Sequence, residues 1–180
     1  PVKLEAAQSG NIVFNMLSPG ATKHAIVADY DKVGCIKTVA NYTALWQDGK
    51  VYIVKNADLS GLHTHCVCGG KAENVGDHEC LTMPLLYKAW TDGSKLPTSG
   101  TYYLDTNVTT STRCDVTSAT LRLCLNGHTI TTTGRITPYD QTHVTFKNGT
   151  VEITKQEIAY MDERYSAEAT FEFNSITAKK

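Results

Sequence analysis

The stretch Leu121-Arg122-Leu123-Cys124-Leu125-Asn126-Gly127-His128-Thr129-Ile130 decides how this chain folds, because its Leu123-x-Leu125-Asn126-Gly127 and Ile130 are echoed by Val144-x-Phe146-Lys147-Asn148-Gly149 and Val151. Large apolar residues alternate with polar ones, the period-two signature of a strand with one buried face. Each copy then reaches Asn-Gly, a pair suited to a tight corner, and resumes with an apolar β-branched residue. The offset between copies is 21 or 22 residues. A looser echo, Phe171-Glu172-Phe173-Asn174 with Ile176, follows, and Tyr102-Tyr103-Leu104 to Val108 forms an earlier one. A repeat of about 21 to 25 residues is one turn of a parallel β-helix, whose rungs stack Val, Ile, Leu and Phe inward. The spacing predicts Leu123, Leu125, Val144, Phe146, Val151 and Ile153 inward on parallel strands. Antiparallel hairpins folded on the Asn-Gly turns are the competing arrangement.

Working outward from this segment, residues 1 to about 58 also alternate in period two, as in Asn11-Ile12-Val13-Phe14, His24 to Ala28, Val33 to Val39 and Lys50 to Lys55. Turn-formers separate them, among them Ser18-Pro19-Gly20 and Gln47-Asp48-Gly49-Lys50. Short strands at this interval read as a small immunoglobulin-like or fibronectin-like β-sandwich. No stretch keeps a helical period for long, the nearest being Thr38 to Leu45. Between residues 59 and 92 the alternation gives way to glycine, histidine and cysteine, a knuckle and linker, and Met83-Pro84-Leu85-Leu86-Tyr87-Lys88-Ala89-Trp90 should dock on a neighbouring core. The predicted organisation is all-β: a sandwich module over 1–58, a Cys/His-rich knuckle over 59–92, and the first rungs of a parallel β-helix over 93–180. Separate hydrophobic cores are expected for the first and last of these.

The segment Thr98-Ser99-Gly100-Thr101-Tyr102-Tyr103-Leu104-Asp105-Thr106-Asn107-Val108-Thr109, followed by Leu121 to Thr131, resembles the opening rungs of pectate-lyase-like β-helix modules in large bacterial surface proteins. His63-Thr64-His65-Cys66-Val67-Cys68-Gly69-Gly70 with His78-Glu79-Cys80 and Ala89-Trp90-Thr91 looks like the His/Cys-rich segment that precedes such β-helices. The resemblance covers roughly residues 63 to 150. It implies an architecture and a bacterial, multidomain cell-surface setting more than an activity, since the wider β-helix class also contains polysaccharide lyases and hydrolases.

Six cysteines are many for a cytosolic domain of 180 residues, and Cys66, Cys68 and Cys80 crowd beside His63, His65 and His78. Thiolates and imidazoles are the ligands of tetrahedral zinc, so Cys66, Cys68, His78 and Cys80 form a candidate structural metal site, with His63 or His65 as substitute ligands. The one-residue gap in Cys66-x-Cys68 is tighter than the usual zinc spacing, and a disulfide from Cys66 or Cys68 to Cys80 is the competing staple. Either bond would order a stretch with few apolar residues to bury. Cys114 and Cys124 read as a disulfide or as buried small hydrophobes, and Cys35 as a core residue.

A formal charge of −1, from 17 basic and 18 acidic residues without a basic block, excludes the electrostatic footprint of a nucleic-acid binder. The longest apolar runs are far below the roughly 20 residues of a spanning helix, so a soluble chain is expected. A start at Pro1, without initiator methionine or apolar leader, reads as an internal or processed beginning. The Thr- and Asn-rich second half suits an extracellular β-protein, and the sequons at Asn41, Asn107 and Asn148 read as chance and turn chemistry in so Thr- and Asn-rich a chain. Asp105, Asp115 and Asp140, with Arg113, Arg122 and Arg135, are the polar candidates for polysaccharide chemistry, and their scatter beside turns reads as surface solvation. Asp162-Glu163-Arg164 reads as a charged loop, and His128 and His143 as corner or surface residues. The function expected is therefore a secreted or cell-surface, non-catalytic stalk, scaffold or adhesin module, with cell-wall or host glycans or proteins as partners. A β-helix lyase or hydrolase is the first alternative. A subunit that self-associates through an open β-helix end is the second.

Overall fold

The computed structural model describes residues 2–4, 10–14, 24–67, 73–75, 79–117, 120–139, 142–154 and 170–179. The chain is all-β with a curled parallel sheet, and it divides into two compact units, Pro1–Tyr87 and Lys88–Lys180. Among the described residues the helices are two 3-10 segments, Tyr30–Cys35 and Asn56–Gly61, and no helix is long and apolar enough to cross a membrane.

The first unit is built around the antiparallel pair Tyr42–Gln47 and Lys50–Lys55. Asp48 and Gly49 turn it at φ +48° and +78°, the doubly left-handed corner whose twist matches a two-residue hairpin. Ile26–Val27 adds antiparallel to Lys50–Lys55, Val2–Lys3 parallel to Ile26–Val27, and Leu85 pairs parallel with Trp46. Thr64–Cys66 then adds beside Leu85–Leu86, and Glu73–Asn74 at the outer edge. The core holds Leu45, Tyr52, Val54 and Leu86, with Leu59 and Leu62 packed against it. Buried Gln47 donates to the carbonyl of Leu86 at 2.9 Å, and Trp46 Nε1 donates to that of Ala28 at 2.9 Å, so both buried polar groups are satisfied.

One expectation needs revising here. The described residues of the first unit form one mixed sheet and a separate parallel pair, Ile12–Phe14 with Ile36–Thr38, in place of two antiparallel sheets of an immunoglobulin-like sandwich. Within the segment 59–92, the stretch expected to dock on a neighbouring core does so. Its apolar residues Leu85, Leu86 and Tyr87 are all buried, and the cheapest way to bury them while satisfying their backbone is to join the hairpin's sheet.

The second unit is wound in stacked parallel coils. One face runs Lys88–Trp90, Gly100–Leu104, Leu121–Cys124, His143–Ile153 and Thr170–Lys179, each strand parallel to the next. A second face stacks Val108–Thr110 and Thr129–Thr132 on residues 150–153, and a third pairs Cys114–Val116 with Ile136–Pro138. Leu121, Leu123, Leu125, Val144, Phe146 and Val151 are buried in one cluster with Leu104, Val108, Ile130 and Ile136, and Ile153 packs against it. Phe173 meets Phe146 edge to face, ring centroids 6.1 Å apart. The parallel pairing of residues 121–124 with 144–147 excludes the antiparallel hairpin arrangement for this segment.

The corners follow the Asn-Gly reading. Asn126 and Asn148 take φ +52° and +57°, a left-handed conformation that asparagine tolerates better than most residues. Each reaches back one coil, Asn126 Nδ2 donating to the Leu104 carbonyl at 3.4 Å and Asn148 Nδ2 to Cys124 Sγ at 3.7 Å. Asn107 reaches forward, its Oδ1 accepting from the Thr129 amide at 2.9 Å. Gly149 lies so close under the preceding corner that a Cβ would come 2.3 Å from Leu125 Cβ and 2.6 Å from the His128 carbonyl oxygen.

Candidate functional site

The first unit carries a cleft of about 940 Å³, lined among others by Thr38, Tyr42, Asn56, His63, His65 and Glu79. One wall is the strand Thr64–Cys66, whose alternation puts His63 and His65 on one face and sends fully buried Cys66 to the other. Cys66 is bonded to Cys80, closing a loop 14 residues apart in sequence. That bond corrects the zinc reading at its root, because a sulfur spent in a disulfide has no thiolate to offer a metal. Cys68 and His78, the other two expected ligands, lie outside the described residues. The staple of the middle segment is thus covalent.

His63 and His65 are brought together closely. Their Nε2 atoms are 3.0 Å apart and their rings meet at 4.9 Å and 75°. Tyr87 packs edge-on against both, at 5.7 Å from His63 and 5.1 Å from His65, and its amide donates to the His63 carbonyl at 2.9 Å. His65 is buried and its main chain is held in register with Asn74 and Leu85. Sequence reading placed these two only as substitute ligands. The signal that distinguishes them was present, since His-x-His on a strand points both rings to one side.

The other candidates are dispersed. Arg113 binds Asp115 at 2.5 Å and the Tyr139 hydroxyl at 2.9 Å, so the Asp115 carboxylate is engaged in an ion pair at the surface, and the Arg113 guanidinium beside it is held above its ordinary range. Asp105, Arg135 and His143 are exposed. His128 sits at the corner within 3.3 Å of Asn107. Asp140 and Asp162-Glu163-Arg164 lie outside the described residues.

Cys35, Cys114 and Cys124 are free and buried, so Cys114 and Cys124 are small apolar packers rather than a disulfide. Burial pushes the Cys114 thiol up to about 11, with the Asp115 charge adding in the same direction, and burial likewise raises Cys124. Thiols so shifted stay protonated and are poor nucleophiles. Lys147, the register partner of Cys124, is 2 % exposed, and burial lowers its ammonium to about 8. Trp90 and Tyr102 pack edge to face at 5.2 Å, with Trp90 Nε1 donating to the Lys95 carbonyl and Lys88 over the Tyr102 ring at 5.8 Å.

By fold and site this is an all-β protein with a curled, coil-stacked parallel sheet and a disulfide-closed loop beside a histidine-lined cleft. No protein-family model, curated protein or solved structure matches the chain.

Proposed function

We propose that this chain is a non-catalytic structural or adhesive module of a secreted or cell-surface protein, and that its second unit is the opening of a right-handed parallel β-helix of the pectate-lyase-like kind. The observation that carries the reading is the unbroken parallel register through five successive strands of one face, from Lys88–Trp90 to Thr170–Lys179. A coil stack of this sort holds each turn by its neighbours alone, and it extends a surface without needing a closed pocket. The Cys66–Cys80 bond supports an oxidising compartment, which for a bacterial protein means outside the cytoplasm. Among the described residues, the scattered, ion-paired or exposed carboxylates of the second unit support a surface role over glycan cleavage, which needs two carboxylates facing one bond.

The test incubates the purified chain with polygalacturonate, alginate and hyaluronan, and follows unsaturated uronide absorbance and release of reducing ends. No turnover above the buffer control is expected. Sustained product formation that tracks with protein concentration would overturn the reading in favour of a β-helix lyase or hydrolase.

A further inference from the structure

We propose that His63 and His65 form the protein half of a binding site for a divalent transition-metal ion of the zinc class, set in the wall of the first unit's cleft. The inference is independent of the structural role proposed above, and it uses a different donor set from Cys66, Cys68, His78 and Cys80.

The geometry comes first. A zinc-class ion binds imidazole nitrogen at about 2.0 to 2.1 Å, so two nitrogens on one ion stand about 3.3 Å apart at a tetrahedral angle and about 2.9 Å apart at a right angle. The observed Nε2 separation of 3.0 Å falls between these values. The two rings are also held before any ion arrives. Tyr87 packs edge-on against both, its amide ties down the His63 backbone, and the strand register fixes His65 between Asn74 and Leu85. Binding therefore costs little ordering of the ligands, which is the usual source of affinity in a site with few donors.

The donor chemistry selects the ion. Neutral imidazoles suit zinc, copper, nickel and cobalt, whereas calcium and magnesium require sets of oxygens. Cys66 and Cys80 are bonded to each other and supply no thiolate to these imidazoles. His63 and His65 line the cleft, and Glu79 borders the same space. The ion displaces the single proton that two imidazoles at this spacing would otherwise share in an N–H···N hydrogen bond.

The experiment uses the full chain with its disulfide intact and zinc chloride as the probe. Calorimetric titration near neutral pH is expected to show one equivalent bound, with affinity falling at least tenfold in His63→Ala and in His65→Ala and unchanged in His143→Ala, whose imidazole is exposed in the other unit. Because either variant can perturb the sheet, the wild-type chain supplies a second readout. The ¹⁵N resonances of His63 and His65 Nε2 should move to the metal-bound range on addition of one equivalent, while the other imidazoles stay put. Unmoved Nε2 resonances would overturn the proposal. So would full affinity in the His63 and His65 variants together with its loss in Cys68→Ser or His78→Ala.

Discussion

Replacing Gly149 with alanine puts the coil stacking to a direct energetic test. A methyl group there would lie 2.3 Å from Leu125 Cβ and 2.6 Å from the His128 carbonyl oxygen, and neither can swing aside, because one is at the root of its side chain and the other is backbone. Ordinary contact requires the two coils to separate locally by about 1 Å. Three inter-coil bonds cross this corner: the Leu125 amide to the Lys147 carbonyl at 2.7 Å, the Gly127 amide to the Asn148 carbonyl at 2.8 Å, and the Thr150 amide to the His128 carbonyl at 3.1 Å. Stretched by that amount they are no longer hydrogen bonds, and at about 1 kcal/mol each the loss is about 3 kcal/mol. Gly127→Ala is the matched control. Its φ is +81° but a Cβ there meets nothing within 4 Å, so its cost is the left-handed backbone term of about 1 to 2 kcal/mol. Urea unfolding followed by circular dichroism should therefore rank Gly149→Ala below Gly127→Ala and both below wild type. A Gly149→Ala protein as stable as the Gly127→Ala protein would refute the close approach of the two corners.

Two further outcomes follow from the same structure. Alkylation without reductant, then peptide mapping, should recover Cys66 and Cys80 in one linked species, and Cys66→Ala/Cys80→Ala should lose about 3 kcal/mol for a loop of this length; alkylation of both sulfurs would contradict the staple. Lys147 should give stability a rising limb at alkaline pH. Its ammonium loses its proton at about 8 in the folded chain against 10.5 unfolded, so the unfolded state binds more protons between those values and folding strengthens as pH climbs through them, by at most roughly 3 to 4 kcal/mol. Cys114 acts oppositely between 9.0 and about 11, where the folded state retains the proton, so the Lys147 contribution is read as the difference between wild type and Lys147→Met. A pH-independent difference would show that Lys147 is solvated in the folded protein.

Much of the second unit was legible because its signals are local. Asn-Gly after an alternating apolar run marks a corner, and Asn126 and Asn148 do turn corners in the left-handed conformation. The register was legible only to within two residues. Matching Leu123 to Val144 by pattern misses the actual pairing of Leu123 with Phe146, because the earlier coil fits Leu125 to His128 into a corner that the later coil turns with Asn148 and Gly149 alone. Corner length is set by packing against the neighbouring coil, which periodicity does not encode. The first unit was harder to read. Its outer strands have two or three residues, too few for alternation to name a partner, and the pairing of Trp46 with Leu85 joins segments that no local pattern connects. At the cysteine cluster, thiol spacing is common to zinc sites and disulfides, and only the placement of Cys66 against Cys80 separates them.

Backbone and methyl nuclear Overhauser contacts across the coils test the parallel stacking itself, because parallel and antiparallel pairing of the same two strands give different contacts. The parallel stack places Leu121 opposite Val144 and Leu123 opposite Phe146, with Tyr102 on the far side of Leu123 and Ile130 opposite Val151. Contacts in that order, running in one direction along both strands, are the expected result. Contacts pairing Leu121 with Phe146 and Leu123 with Val144 would reverse the strand direction and contradict the coil-stacked fold on which the proposed structural role rests.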